Sequence, residues 1–344
     1  MSYHVRFHPF CLALSVVVGW LGSAVSLPRL HAQQAVEADP LPSWNAGTTK
    51  KAILDFVART TRPGSPDHIP IDGRIAVFDN DGTLWPENPM PFEVAFSLDQ
   101  AKKLLAERSE LKEQPAYKAV AAGDVTALTA DHLKLLRQIV VDTHSGQTAG
   151  EFSHAVKDWF STARHPRFKR PYADCTYLPM QEVLSYLRAN GYKTYIVSGG
   201  SADFMRVFAE KTYGIPPEQV IGTVFKTKYE LVGDKPTITI LPELAHFDDK
   251  AGKPVAIYHF IGRQPVMCFG NSDGDHEMLQ YTTIGEARRF GLLVHHTDEK
   301  REYAYDSHPK SSGKLVEALA AAKERGWIVV NMQADWKQVF TPAK

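Results

Sequence analysis

Neither sign of charge prevails in this sequence: 39 Lys and Arg stand against 39 Asp and Glu, a formal net charge of zero. Without a long-range field, nucleic acid and an anionic membrane surface are not indicated as partners. There is no internal repeat and no low-complexity tract, which argues against a solenoid or a disordered chain. Long apolar runs are also missing. The one candidate, from Phe10 to Val25, falls short of the ~20 residues of a helical membrane span. What is present is ordinary for a globular protein. With 344 residues and 44% hydrophobic composition, the chain can bury one large core and still carry an insertion.

The N-terminus reads as a secretory signal. Met1 to Pro9 carries Arg6 and no acid, the apolar run follows, and small residues come next, with cleavage possible after Ser26 or Ala32. Residues 1–32 are taken as the signal. Export, to the periplasm, is the expectation, with no stable membrane span once the signal is removed. An uncleaved N-terminal anchor is the competing reading. Removal of the segment takes Cys11 with it and leaves Cys175 and Cys268. An oxidising compartment permits their pairing, but Cys268 falls in a run that reads as a central buried strand, so free thiols are expected.

A Pro-rich, irregular linker is expected from about Gln33 to Asn45, then a helix over Thr48–Thr60 with Ile53, Phe56 and Val57 on one face. Arg74–Phe78 is a short apolar run that ends in an acidic loop, the pattern of a buried parallel strand. From Pro89 to about Arg170 the periodicity is helical, over Phe92–Glu107, Pro115–Ala122, Ala130–Val141 and Thr148–Ala163. Strands and helices then alternate. Helices are expected at Met180–Asn190, Ser201–Tyr213, Pro254–Ile261 (with Pro254 as its first residue), Glu277–Tyr281 and Ser312–Ala322. Strands are expected at Lys193–Val197, Val220–Lys226, Tyr229–Val232, Thr237–Ile240, Pro265–Phe269, Gly291–His295 and Trp327–Asn331, with an antiparallel excursion in the middle. This alternation predicts an α/β fold: a doubly wound, Rossmann-like parallel sheet (33–88 and 172–344) with an inserted α-helical cap (89–171).

Four polar clusters carry chemistry. Asp79-Asn80-Asp81-Gly82-Thr83 sets two carboxylates at the end of a buried strand, which is costly without a cation. Asp79 is placed to attack as a nucleophile and Asp81 to act as general acid and base. Ser198-Gly199-Gly200 offers a hydroxyl and backbone N–H groups at a helix start, suited to an anion. Lys253 stands directly before Pro254 and the helix that Pro254 opens, with Lys250 as its competitor; one lysine beside a carboxylate or phosphate is worth about 4 kcal/mol at ~4 Å and an effective dielectric of ~20. Gly270-Asn271-Ser272-Asp273-Gly274-Asp275 offers oxygen ligands. His276 stands where a calcium loop needs Gly, and Thr282 where it needs Glu, so magnesium fits better.

In this order the four clusters resemble the haloacid dehalogenase-like (HAD) superfamily, and most closely its phosphoserine-phosphatase-like branch with a helical cap. The resemblance covers about Ile75 to Gln280. It implies an aspartyl-phosphate on Asp79, acid–base work by Asp81, and phosphoryl binding by Ser198, Gly199 and Lys253. It also implies Mg²⁺ held by the Asp79 carboxylate, the Asp81 backbone carbonyl and Asn271, with Asp275 supporting the metal directly or through water. The implied activity is hydrolysis of small-molecule phosphate monoesters. Two departures stand out. Many relatives have Asp in place of Asn271, a loss of charge that Asp273 could offset. The Glu that reads a phosphoserine amino group has only Glu87 and Glu93 as candidates for substrate binding, in a different local sequence. The second acid, Asp81, argues against dehalogenation. A phosphotransferase or mutase on the same scaffold, a non-catalytic binding protein and, more distantly, a phosphonate-cleaving enzyme are the competing readings. The basic run Arg164–Arg170 reads as a solvated hinge, Trp85 and Trp159 as core, and His295, His296 and His308 as structural or surface residues.

Overall fold

The computed structural model describes residues 38–285, 288–309 and 312–342. The expected signal, 1–32, and the first part of the linker lie outside the described residues. Seven strands, β1 (Ile75–Phe78), β2 (Lys193–Ser201), β3 (Val220–Val232), β4 (Lys235–His246), β5 (Met267–Gly270), β6 (Phe290–His295) and β7 (Ile328–Asn331), form one sheet. Their order is β4-β3-β2-β1-β5-β6-β7. Every neighbouring pair is parallel except β3 and β4.

Strand β1 is central because all four of its side chains are apolar and buried. Phe78 pairs in register with Ile196 on one side and Phe269 on the other, and its ring stacks on Phe269 at 4.2 Å. Alternate residues feed two cores. Ala76, Phe78, Ile196 and Phe269 face one, and Ile75, Val77, Val197 and Cys268 the other, as a sheet covered by helices on both faces requires. The chain steps outward from β1 to β3, then restarts at β5 and runs the other way. That reversal brings the carboxyl ends of β1, β2 and β5 together, where an α/β sheet places a site.

The helices are α1 (Thr48–Thr61), α2 (Phe92–Glu107), α3 (Pro115–Ala122), α4 (Val125–His144), α5 (Ala149–Thr162), α6 (Leu178–Ala189), α7 (Ala202–Arg206), α8 (Ala209–Tyr213), α9 (Gly252–Phe260), α10 (His276–Thr283), α11 (Glu317–Arg325) and α12 (Met332–Asp335). Helices α2 to α5 form the inserted cap. Ala101, Tyr117, Val120, Leu128 and Ile139 make a separate small core within α2–α4, whereas Phe152, Val156 and Trp159 of α5 join the main one.

Several expectations need correction. The helix expected over Ser201–Tyr213 breaks into α7 and α8, because Phe208 leaves helical geometry at φ −120° and packs its ring on Trp85 at 4.5 Å. The two strands expected within Val220–Val232 are one, and β4 runs well past Ile240. They form a long hairpin turned at Gly233 (φ 62°). Its outer half is held by pairing instead of burial, since Tyr229, Leu231, Val232 and Ile238 are all exposed. Pro254 is the third residue of α9, not the first; first-turn N–H groups lack intrahelical partners, so proline is tolerated there. Residues 312–316 are not helical: Gly313 has φ 84° and the Leu315 N–H donates to Asp306 O. The stretch before Asn45 is irregular but not loose, since Leu41 and Trp44 are buried and Ser43 donates to Glu182. Cys175 and Cys268 are buried free thiols.

Candidate active site

The floor of the site begins where β1 ends. The Asp79 N–H still donates to Phe269 O at 2.9 Å, so the backbone is held in the ladder up to the carboxylate. The chain then turns at Gly82 (φ 76°), whose N–H donates to Trp85 O at 2.7 Å. A Cβ at Gly82 would collide with the Asn271 amide and with Glu87, so glycine is required on two counts. Within this turn the Trp85 indole N–H donates to Asp81 Oδ1 at 2.7 Å, and the Thr83 hydroxyl donates to Asn271 Oδ1 at 3.1 Å.

Lys253, in the first turn of α9, is 2% exposed and donates to both Asp79 Oδ1 (2.7 Å) and Asp275 Oδ1 (2.6 Å). Lys250 lines the cleft above without that contact. The second oxygen of Asp275 accepts from the N–H groups of Asn271 (2.9 Å) and Ser272 (3.1 Å). Asp275 therefore buttresses Lys253 and the β5 loop, and both of its oxygens are engaged. Ser198 lies buried within β2, its Oγ accepting from the Gly200 N–H at 3.3 Å; Ser198-Gly199-Gly200 is strand and not the expected helix start, since β2 runs to Ser201 and α7 begins at Ala202. Asp273 lines the cleft, but its Oδ1 caps α11, accepting from the N–H groups of Val316 and Ala318 at 2.9 and 3.1 Å.

Two cleft acids come from between β1 and β2. Glu93, on α2, spans cap and core. Its Oε2 accepts from the Ser201 N–H at 2.8 Å, and its Oε1 meets His144 Nε2 of α4 at 2.8 Å. A side chain at Gly200 would press on Glu93 at 3.0 Å, so glycine there admits this reach. Glu87 accepts from Asn271 Nδ2 at 2.5 Å and from the Tyr305 hydroxyl at 2.8 Å. Tyr305 stacks on His296 at 4.4 Å, and His296 bridges Gly82 O (2.8 Å) and Glu302 (3.0 Å). The sequence reading missed His144, Tyr305 and Glu302, and left open that His296 is buried. Single polar residues at helix ends and in loops carry no spacing signal. The basic run takes no part in the cleft: Arg167 lies over Tyr303 at 4.4 Å and Arg170 donates to Thr341 O. Trp85 and Trp159 are both core residues, as expected.

Burial, together with the neighbouring Asp275, pushes the Asp79 carboxyl well up, against the pull of Lys253. Burial also raises Asp81, to about 7, with the Trp85 hydrogen bond acting the other way. Glu87 is raised by burial. Lys253 is buried, which disfavours its charge, but Asp275 and Asp79 more than offset this and keep it an ammonium. Asp79 and Asp275 share one ammonium group, and Asp81 and Glu87 are buried close to each other beside them. Such an excess of enclosed negative charge is what a divalent cation would relieve. The Asp79 carboxylate, the Asp81 carbonyl and Asn271 Oδ1 are hard oxygens of the kind Mg²⁺ takes when it keeps several waters, so the donor set fits that ion. Above this floor a cleft of about 850 Å³ opens between α2, α4 and the sheet edge.

A doubly wound α/β sheet with a helical insertion after its first strand, and with a carboxylate pair and a buried lysine at its switch point, defines a capped Rossmann-like α/β protein. The family description "haloacid dehalogenase-like hydrolase" matches residues 76–280. The chain belongs to that family. No curated protein matches it. Among solved structures, a conserved protein of unknown function from Anaerococcus prevotii DSM 20548 is similar at 17% identity, over 78% of this chain and 95% of that one (TM-score 0.49). A protein of unknown function from Bordetella pertussis Tohama I matches at 14% identity, over 75% and 98% (TM-score 0.46). A phosphoserine phosphohydrolase-like protein from Francisella tularensis subsp. tularensis SCHU S4 matches at 14%, over 72% and 98% (TM-score 0.37).

Proposed function

We propose that this protein is a Mg²⁺-dependent phosphatase that hydrolyses small-molecule phosphate monoesters through an aspartyl-phosphate on Asp79, after export by its N-terminal segment. The observation that carries the reading is Lys253 fixed between Asp79 and Asp275 at the cleft floor. A buried, permanently charged lysine beside a carboxylate would serve to hold a dianionic phosphate against the nucleophile.

Asp79 attacks phosphorus as the bond to the ester oxygen breaks. Asp81, raised to about 7 by burial and so partly protonated near neutral pH, gives its proton to the leaving oxygen and frees the alcohol. Asp81 then takes a proton from water, the hydroxide attacks phosphorus, and the bond to Asp79 breaks, releasing inorganic phosphate and restoring both acids. The Trp85 N–H aims Asp81, while Ser198, the N–H of Gly199 and Lys253 bind the phosphoryl oxygens. Mg²⁺, held by Asp79, the Asp81 carbonyl and Asn271, would supply the remaining positive charge on the phosphoryl group. Glu87 and Glu93 line the approach and set the positions of Asn271 and of the Ser198–Ser201 segment.

The test is phosphate release from a panel of phosphate monoesters, with Mg²⁺ and with a chelator, by the protein and by Asp79→Asn. Release that needs the metal and falls by at least a thousandfold in the variant is expected. If no ester is turned over with any divalent ion, the reading fails; turnover only with an added acceptor alcohol points to a phosphotransferase.

A further inference from the structure

The cleft is chemically divided. The floor holds Asp79, Lys253 and Ser198; the lining from α4 and from the β3–β4 hairpin with the segment after it is mostly apolar, with Arg137 and Thr223 as its polar members. Leu136 and Val140 lie four residues apart on α4 and so share one helix face. Opposite, Phe225 of β3 pairs directly with Leu244 of β4, and Phe247 follows just after that strand. Leu244 is 45% exposed and Phe247 51% exposed. On the α4 side Leu133, which also lines the cleft, is 41% exposed. Large apolar side chains left open on both sides of a concave site mark a ligand surface. The volume of about 850 Å³ far exceeds what a three-carbon phosphoester needs. The cap acid in the cleft, Glu93, has both oxygens engaged by His144 and Ser201, so it offers no free carboxylate to a substrate ammonium.

We infer that the substrate is the phosphate monoester of a bulky apolar alcohol, whose leaving group fills the space between Leu136 and Val140 on one side and Phe225, Leu244 and Phe247 on the other. This rests on the phosphatase reading and narrows it. A substrate that buries methylene groups against this wall gains about 0.8 kcal/mol each, or about fourfold in affinity.

The experiment compares kcat/KM for ethyl, butyl, hexyl and octyl phosphate with that for phosphoserine, on the full chain with Mg²⁺. The expected result is a rise of two- to fourfold per methylene, with phosphoserine below butyl phosphate. Leu136→Asp and Phe247→Ser should each lower the octyl-to-ethyl ratio by at least tenfold. Both esters are read on one preparation, so a partly unfolded variant scales them alike and leaves the ratio untouched. A flat series with measurable phosphate release overturns the apolar assignment and leaves the phosphatase reading standing, as does phosphoserine exceeding octyl phosphate. Unaltered ratios in both variants overturn the wall as the site of the leaving group. No release from any ester takes down both readings.

Discussion

At the scale of single residues, the polar groups in this protein are bound to one another more tightly than to solvent. Lys253 has two carboxylates, Glu93 ties α2 to α4 and to the end of β2, and His296 sits between Gly82 O and Glu302. The acids of the floor were legible in the sequence because Asp79 and Asp81 directly follow a run of apolar strand residues. Lys253 was legible only beside its rival Lys250, since a lone lysine has no pattern; depth within the fold separates the two. His296 was unreadable because its partners lie 214 positions away at Gly82 and 6 away at Glu302. Burial disfavours its charge, yet Glu302 and Glu87 raise its pKa above the ordinary histidine value. A group raised in the folded state stabilises fully below its unfolded pKa, about 6.5, and that contribution is lost as pH climbs through the raised value. The melting temperature should therefore decline from pH 6 towards pH 9, in part through this residue. His296→Gln should cost about 3–5 kcal/mol by stranding Glu302, and should flatten the decline. Parallel melting curves for the two proteins across that range would show that His296 does not titrate with folding.

At the scale of elements, local pattern and tertiary demand agree where a segment is buried and part where it is not. The cap helices α2 and α3 were readable to the residue because each has an apolar face. The stretch of β4 beyond Ile240 and the start of α11 were not, because pairing and capping from distant residues define them. Asp273 is the clearest case. By sequence it was a candidate to offset the charge lost at Asn271, but its oxygen caps the N-terminus of α11. Losing an N-cap costs about 1 kcal/mol, so Asp273→Ala should lower the melting temperature by about 2 °C. The Mg²⁺ concentration for half-maximal activity should stay within twofold of the parent. A fivefold or larger rise, with the melting temperature unmoved, would return Asp273 to the metal site. The opposite split is expected for Asn271→Ala, which removes an oxygen donor and the partner of Glu87 together: weaker Mg²⁺ binding by calorimetry and a lower melting temperature.

At the scale of the whole molecule, the order of the sheet was implicit in the alternation of strands and helices. Where the two ends of the described chain go was not. Strand direction and crossover rules constrain the interior of a parallel sheet, but they say nothing about an irregular segment before the first helix. That segment is docked by three kinds of contact. The Trp44 ring meets Trp336 edge-on at 5.9 Å, its indole N–H donates to Pro179 O at 3.0 Å, and the Ser43 hydroxyl donates to Glu182 at 2.7 Å. Residues near both ends of the described chain thus close over α6, whose other side packs on the sheet that carries Asp79. If this closure is part of the cooperative core, Trp44→Ala should cost about 3–5 kcal/mol, the usual range for a buried tryptophan. The unfolding transition should remain single, with unchanged denaturant dependence and a lower midpoint, because the segment and the sheet unfold together. If the segment instead frays independently, Trp44→Ala will leave the midpoint near the parent value and change only the tryptophan fluorescence baseline before the main transition. In that case the contacts of Leu41 to Trp44 contribute little to holding the floor of the cleft in place.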